Sequence, residues 1–140
     1  MIAYNFQKPQ FLTDDQIIAL YASVGWTAYT QRPKNTLAAL ANSTVLWATT
    51  AQQLVGLARG VTDGHTILYV HDILVAPDYQ RHQLGSQLVH RLLDYYQNVG
   101  QTVLITDPDA ATAAFYRSLD FHDVTPQDYG RAFVLDRRYH

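Results

Sequence analysis

Between residues 66 and 106 the apolar pattern changes period twice, and this limits the fold more than any other feature of the chain. "TILYVHDILVAP" (66–77) reads as a strand that is apolar on both faces. Residues 84–98 then put Leu84, Leu88, Leu92 and Tyr96 on one ridge, with Val89 and Leu93 beside it and Gln87, Arg91 and Asp94 facing outward. That spacing predicts a helix with one buried face. "TVLIT" (102–106) returns to a short apolar strand. Strand, helix and strand in this order make a crossover, so strands 66–76 and 102–106 lie parallel in one sheet.

The rest of the chain fills out a mixed α/β architecture. "IAYNF" (2–6) alternates like a strand, and Thr13 caps an amphipathic helix, "DDQIIALYASV" (14–24), with two aspartates at its positive end. Pro33 opens a second helix, "PKNTLAALAN". Strands "TVLWATT" and "QLVGLARGV" follow, and the second joins strand 66–76 through "TDGH", whose Asp63-Gly64 pair signals a hairpin. Downstream, "DAATAAFYRSL" (109–119) reads as a helix, and "FHDV" (121–124) and "AFVLD" (132–136) as strands. The expectation is a single domain over 1–140: a mixed, twisted sheet of about seven strands with helices on both faces.

Composition removes several classes of function. A formal charge of −2 and two distant lysines, Lys8 and Lys34, give no electrostatic footprint for nucleic acid. No run reaches the ~18 apolar residues needed to cross a bilayer, and no leader pattern opens the chain, so a cytoplasmic protein with no membrane partner is expected. With no cysteine there is no thiolate nucleophile and no thiolate metal site. The six histidines (His65, His71, His82, His90, His122, His140) show no compact ligand spacing, so no metal is expected. All twelve acidic residues are aspartates, so a mechanism that needs a glutamate base must find another group.

"PDYQRHQLGSQLV" (77–89) leads from strand 66–76 into the helix. The unpaired N–H groups and dipole of the first helical turn therefore point to where that strand ends, which is an anion site by construction. Gln80, Arg81 and His82 add side-chain donors, and Ser86 adds a hydroxyl one residue after Gly85. Neither G-x-x-x-x-G-K-[ST] nor G-x-G-x-x-G occurs, so the nucleotide loops those patterns mark are set aside.

"ILVAPDYQRHQLGSQLV" resembles the acyl-CoA loop of the GNAT superfamily of N-acetyltransferases, and "AAFYRSLDF" resembles that family's Phe-Tyr-x-x-x-Gly-Phe segment at the matching spacing. "QLVGLARGVTDG" followed by "DILVAP" is similar to the small members related to arylamine and arylalkylamine N-acetyltransferases. The resemblance implies a sheet that splays between strands 66–76 and 102–106, with the pantetheine arm of acetyl-CoA in the gap. Backbone groups of Ile73, Leu74 and Val75 would pair with that arm, and amides of Gln80, Arg81, His82, Gln83, Leu84, Gly85 and Ser86 would hold the pyrophosphate. Two positions depart from the family pattern, Gln83 and Asp120, each standing where the family has glycine. At positive φ a side chain at 83 costs ~1–2 kcal/mol; at negative φ it costs nothing. Aspartate tolerates the left-handed region better than most residues.

Forming an amide from a thioester and an amine needs a neutral amine, a polarised carbonyl and a proton for the departing thiolate. The resemblance makes Tyr116 the proton donor and a backbone N–H near Leu74 the polarising group. For the base, period-2 alternation puts Asp72 on one face with Leu68, Val70 and Leu74, and His71 on the other. A carboxylate among aliphatic residues is a site candidate, or else the partner of Arg59 on the neighbouring strand; His71 is the alternative base. The resemblance sets the acceptor groove between the first two helices and the 43–62 hairpin, where Trp26, Tyr29 and Arg59 are the candidate lining residues, with ordinary packing as the other account of the aromatic pair. The expected activity is acetyl-CoA-dependent N-acetylation of a small primary amine, with an aryl or aralkyl amine as the candidate acceptor, by a monomer or homodimer. A non-catalytic acyl-CoA sensor is the alternative.

Overall fold

The computed structural model describes residues 1–138, and so leaves His140 outside the described residues. These residues form two compact units, Met1–Leu104 and the part that begins at Ile105.

The first unit carries β1 (Ala3–Asn5), α1 (Asp14–Ser23), α2 (Thr27–Thr30), α3 (Pro33–Ala41), β2 (Thr44–Thr50), β3 (Gln53–Thr62), β4 (Ile67–Val75), α4 (Leu84–Tyr95) and β5 (Gln101–Leu104). Local chemistry sets the ends of these elements. Thr13 Oγ1 accepts from Gln16 N–H at 3.2 Å to cap α1, Pro33 opens α3, and Asp63 Oδ1 accepts the amides of His65 and Thr66 in the turn before β4. The short α2 lies in "WTAYTQR", where no periodicity announces a helix.

The strands form one sheet in the order β1-β2-β3-β4-β5, antiparallel except for the parallel β4–β5 pair, as the crossover requires. One face buries Ile17, Leu20 and Tyr21 of α1 and Leu40 of α3 against Val45, Trp47, Leu57 and Leu74. The other buries Leu84, Leu88 and Leu92 of α4 against Leu46, Val55, Leu68 and Val70. Gly56 makes the second contact possible. A Cβ there would stand 2.7 Å from Leu84 Cδ2 and 3.0 Å from the Leu74 carbonyl, so a larger residue would push α4 off the sheet.

A bulge in β4 corrects the alternation read from the sequence. The β3–β4 register pairs Arg59 with Asp72 and Gly60 with Val70, which leaves His71 as an extra residue. Two consecutive side chains around a bulge can share a face. Leu68 and Val70 thus pack toward α4, whereas Asp72 and Leu74 turn to the α1 side, and His71 turns there too. Asp72 does not share a face with Leu68 and Val70, and His71 does not lie opposite it.

In the second unit Asp109 caps α5 (Ala110–Ser118), its Oδ1 accepting from Thr112 N–H at 2.8 Å. The helix ends in a Schellman closure: Phe121 N–H donates to Tyr116 C=O and Asp120 N–H to Arg117 C=O, with Asp120 at φ +68°. Among the described residues the sheet has five strands rather than about seven, because 121–124 and 132–136 are not strands. A short run of strand-favouring residues becomes a strand only where a ladder partner and a burying surface exist. Here Arg117 forks onto Asp123 through Nε and Nη2, and Phe133 is 88% exposed.

Candidate active site

The parallel β4–β5 ladder runs from Ile67↔Gln101 to Val70↔Leu104 and stops. Residues 72–75 continue against β3 only, so one edge of β4 carries no ladder partner there among the described residues. Ala76 N–H donates to Val55 C=O at 2.8 Å, which aims residue 76, and by alternation residues 74 and 72, at β3. The amides on the open edge are therefore those of Ile73 and Val75. Leu74 spends its amide inside the sheet, so of the backbone N–H groups near Leu74 those of Ile73 and Val75 face the open edge.

After Val75 the chain makes a short turn over Pro77–Tyr79 and reaches α4 through two left-handed residues, Arg81 (φ +69°) and Gln83 (φ +61°, ψ 15°). Gln83 thus sits in the conformation where glycine is at ease, at a cost of ~1–2 kcal/mol. It then hands over to right-handed helix, and such a sequence of conformations turns successive N–H groups toward one concavity. The amides of Leu84, Gly85 and Ser86 open the helix and have no intrahelical acceptor. Leu84 is buried in the core and offers only its backbone, Ser86 is half-buried, and Arg81, His82 and Gln83 are exposed. A Cβ on Gly85 would meet only Val75 Cγ2, at 3.6 Å. Among the described residues no other heavy atom outside its own helix and its chain neighbours comes within 4 Å of that Cβ. Gln80 differs from expectation: its Nε2 donates to Val75 C=O at 3.1 Å and braces the loop on the strand end.

Asp72 is 0% exposed and takes hydrogen bonds on both oxygens. Oδ2 accepts from Arg59 Nε (2.5 Å) and Tyr21 Oη (2.9 Å), and Oδ1 from Tyr29 Oη (2.9 Å). His71 Nδ1 stands 2.7 Å from Oδ1, 3.0 Å from Tyr29 Oη and 3.0 Å from Arg59 Nη2. Arg59 Nη1 donates to Ser43 Oγ at 3.2 Å. Burial alone would raise the Asp72 carboxyl, but the hydrogen bonds from His71 and Arg59 and the guanidinium charge outweigh it and hold its pKa down at about 2. Burial first, and the Asp72 charge second, push the Tyr29 phenol up to about 12 and raise Tyr21 as well. A carboxylate so fully engaged is a weak proton acceptor. Asp72 is the ion-pair partner of Arg59, the alternative weighed for it, and Arg59 turns inward to that pair.

Trp26 and Tyr29 are half-buried, with ring centroids 5.7 Å apart, and both lean on Tyr21. A cleft of about 420 Å³ lies between α1, α3 and β2, lined by Phe6, Lys8, Leu37, Ser43 and Trp47 among others. Neither Trp26, Tyr29 nor Arg59 lines it. Sequence reasoning missed Tyr21, whose only signal was an aromatic hydroxyl on the buried face of α1, four residues after Ile17. In the second unit Tyr116 is half-buried between Phe115 and Phe121, with ring centroids at 5.1 and 5.6 Å, and burial raises its pKa. A phenol so placed keeps its proton at neutral pH. Among the described residues no group of three or more metal-ligating side chains converges, and no helix is long and apolar enough to cross a membrane.

Residues 6–121 match the family model described as Acetyltransferase (GNAT) family. An uncharacterized N-acetyltransferase, ycf52, of Pyropia yezoensis is 29% identical over 128 residues, spanning 81% of this chain and 71% of the relative. The structure of a GNAT family acetyltransferase from Streptococcus pneumoniae TIGR4 superposes with a TM-score of 0.76 at 28% identity, covering 98% of this chain and 99% of the other. The PaiA N-acetyltransferase of Thermoplasma acidophilum, solved in complex with coenzyme A, shares the fold at a TM-score of 0.65 and 12% identity, over 85% of this chain and 88% of that one. The chain that carries this open strand edge and bank of unpaired amides belongs to the GNAT family of acetyltransferases.

Proposed function

We propose that this enzyme transfers the acetyl group of acetyl-CoA to the primary amine of a small molecule. The observation that carries this reading is the continuity of the free edge of β4 with the amides that open α4. The amides from Arg81 to Ser86 hold the diphosphate, with Gly85 providing room for its approach. Ile73 and Val75 present main-chain groups to the pantetheine arm, and an N–H of this edge polarises the thioester carbonyl. Acetyl-CoA supplies the activated acyl group, and the chain's own residues bind it, orient it and move the protons. His71 takes the proton from the attacking amine, and Tyr116 gives one to the departing sulfur. Asp72 is not the base in this scheme, because its oxygens already serve Arg59 and the two tyrosines. The carbon frame of the acceptor rests near Trp26 and Tyr29, which favours an aryl or aralkyl amine.

Thiol release across an amine panel that includes protein amino groups tests the proposal, with turnover on a small amine expected. Tight binding of acetyl-CoA with no turnover on any amine would instead support the sensor reading, which the strained Gln83 favours to the extent that it distorts the loop. Tyr116→Phe separates the two: kcat is expected to fall by a factor of ~10² or more at unchanged coenzyme affinity.

A further inference from the structure

Three polar atoms crowd His71 Nδ1, and the hydrogens they carry decide which ring nitrogen is free. Suppose first that neutral His71 carried its proton on Nε2. Nδ1 and Asp72 Oδ1 would then face each other at 2.7 Å with lone pairs only and no proton between them. Tyr29 has one proton, and Oδ1 at 2.9 Å and Nδ1 at 3.0 Å compete for it, so it cannot relieve that contact. Suppose instead that the proton is on Nδ1. Both Nδ1–H and Tyr29 O–H then donate to Oδ1, and the remaining misfit is the approach of Arg59 Nη2 at 3.0 Å. That misfit is the smaller one, because Nη2 stands 3.0 Å from Nδ1 against 2.7 Å for the two facing lone pairs, while the guanidinium stays anchored through Nε to Asp72 Oδ2 and through Nη1 to Ser43 Oγ.

We propose that Asp72 is a positioning residue, its carboxylate clamped by Tyr21, Tyr29 and Arg59 so that His71 keeps its proton on Nδ1 and presents the Nε2 lone pair as the proton acceptor. This rests on the reading of His71 as the base. Nε2 makes no hydrogen bond to the described residues, and the side chain is 28% exposed. His71 also stands one residue beyond the last β4–β5 pair, where the open edge begins. When an amine proton moves to Nε2, the Nδ1–H to Oδ1 bond becomes an ion pair and no other proton has to move. The groups facing the imidazole are Asp72 from its own strand, Arg59 from β3, Tyr29 from α2 and the ring of Tyr69 from β4; Tyr21 of α1 acts through Asp72.

Nitrogen-15 spectra of the histidine rings in the free protein, at a pH where His71 is neutral, test the assignment without any activity; His71→Gln identifies the signals. A protonated Nδ1 and a bare Nε2 are expected, and the reverse pattern or an even mixture overturns the proposal. In Asp72→Asn the carboxamide N–H₂ can donate to Nδ1 and drive the proton to Nε2, so kcat should fall by a factor of ~10³–10⁴ with little change in KM. A loss under tenfold in a folded variant overturns it. Should that variant not fold, Tyr29→Phe decides. Oδ1 loses one of its two donors there and stabilises the imidazolium better, so the acid limb of kcat/KM should move up by roughly half a pH unit. A purely structural Tyr29 would leave the limb in place, and an unmoved limb overturns the proposal. A bare Nε2 in a protein that acetylates no amine would leave this assignment standing and remove the acetyl-transfer reading; turnover with a protonated Nε2 would do the opposite.

Discussion

Asp72 and the loop before α4 lie within about a dozen residues of each other on the chain, and their surroundings treat polar atoms in opposite ways. Around Asp72 the protein supplies partners to both carboxylate oxygens and takes them out of solvent. At the start of α4 the amides of Leu84, Gly85 and Ser86 are left without intrahelical partners, and a Cβ on Gly85 would meet, outside its own helix and chain neighbours, only Val75 Cγ2 among the described residues. Buried polar atoms that are satisfied hold structure and set protonation, whereas aligned, unsatisfied donors are what a ligand can occupy. The comparison therefore assigns the two regions different work, even though a reading by residue type would call both of them sites.

The largest effect that could break this contrast is on stability. Asp72→Ala leaves the Arg59 charge and the Tyr21 and Tyr29 phenols without their acceptor, and is expected to cost roughly 3–5 kcal/mol in denaturant unfolding. A loss below about 1 kcal/mol would mean that water reaches the cluster and that it is not the closed network described. Acid should reveal the same carboxylate. The folded pKa of Asp72, about 2, lies below the unfolded value, so its contribution is present above about pH 4 and is lost as pH falls toward 2. The difference corresponds to roughly 2 kcal/mol, and wild type should lose that much more stability than Asp72→Asn over this interval.

Predictions for the loop concern binding rather than folding. Gly85→Val should leave the melting temperature within a few degrees of wild type, because its Cβ meets only Val75 Cγ2, at 3.6 Å. The same variant should weaken coenzyme A binding about tenfold, which is ~1.4 kcal/mol by calorimetry. Unchanged affinity would move the diphosphate elsewhere. Gln83→Gly should have the smallest effect, a gain of about 1 kcal/mol in stability from relieving the left-handed side chain. Coenzyme affinity should hold or improve, since the donors are main-chain groups. A marked loss of affinity would show that the Gln83 side chain itself binds.

Much of the framework was legible before any coordinates. The period change across 66–106 implies the parallel pair, and Thr13, Pro33 and Asp109 mark the helix starts at which the structure has them. Gln83 illustrates a conditional expectation: the cost of its side chain could be stated in advance, but the sign of φ came only with the loop's path between β4 and α4. Residues 132–136 show the opposite failure. "AFVLD" is the short apolar run of a strand, but residue type describes one chain, and a strand is a relation between two.

What the sequence determined by itself is the crossover, the buried ridge of α4 and the place where unpaired amides collect. All of these follow from local periodicity and from the geometry of a helix end. Only the tertiary structure decided that His71 is an inserted residue, that Asp72 faces Tyr21 rather than Leu68, and that Leu74 spends its amide on β3. Each of those facts depends on register against a partner strand. A bulge adds one residue to one side of a ladder and turns over the faces beyond it, and nothing within the bulged strand records that the partner has one residue fewer.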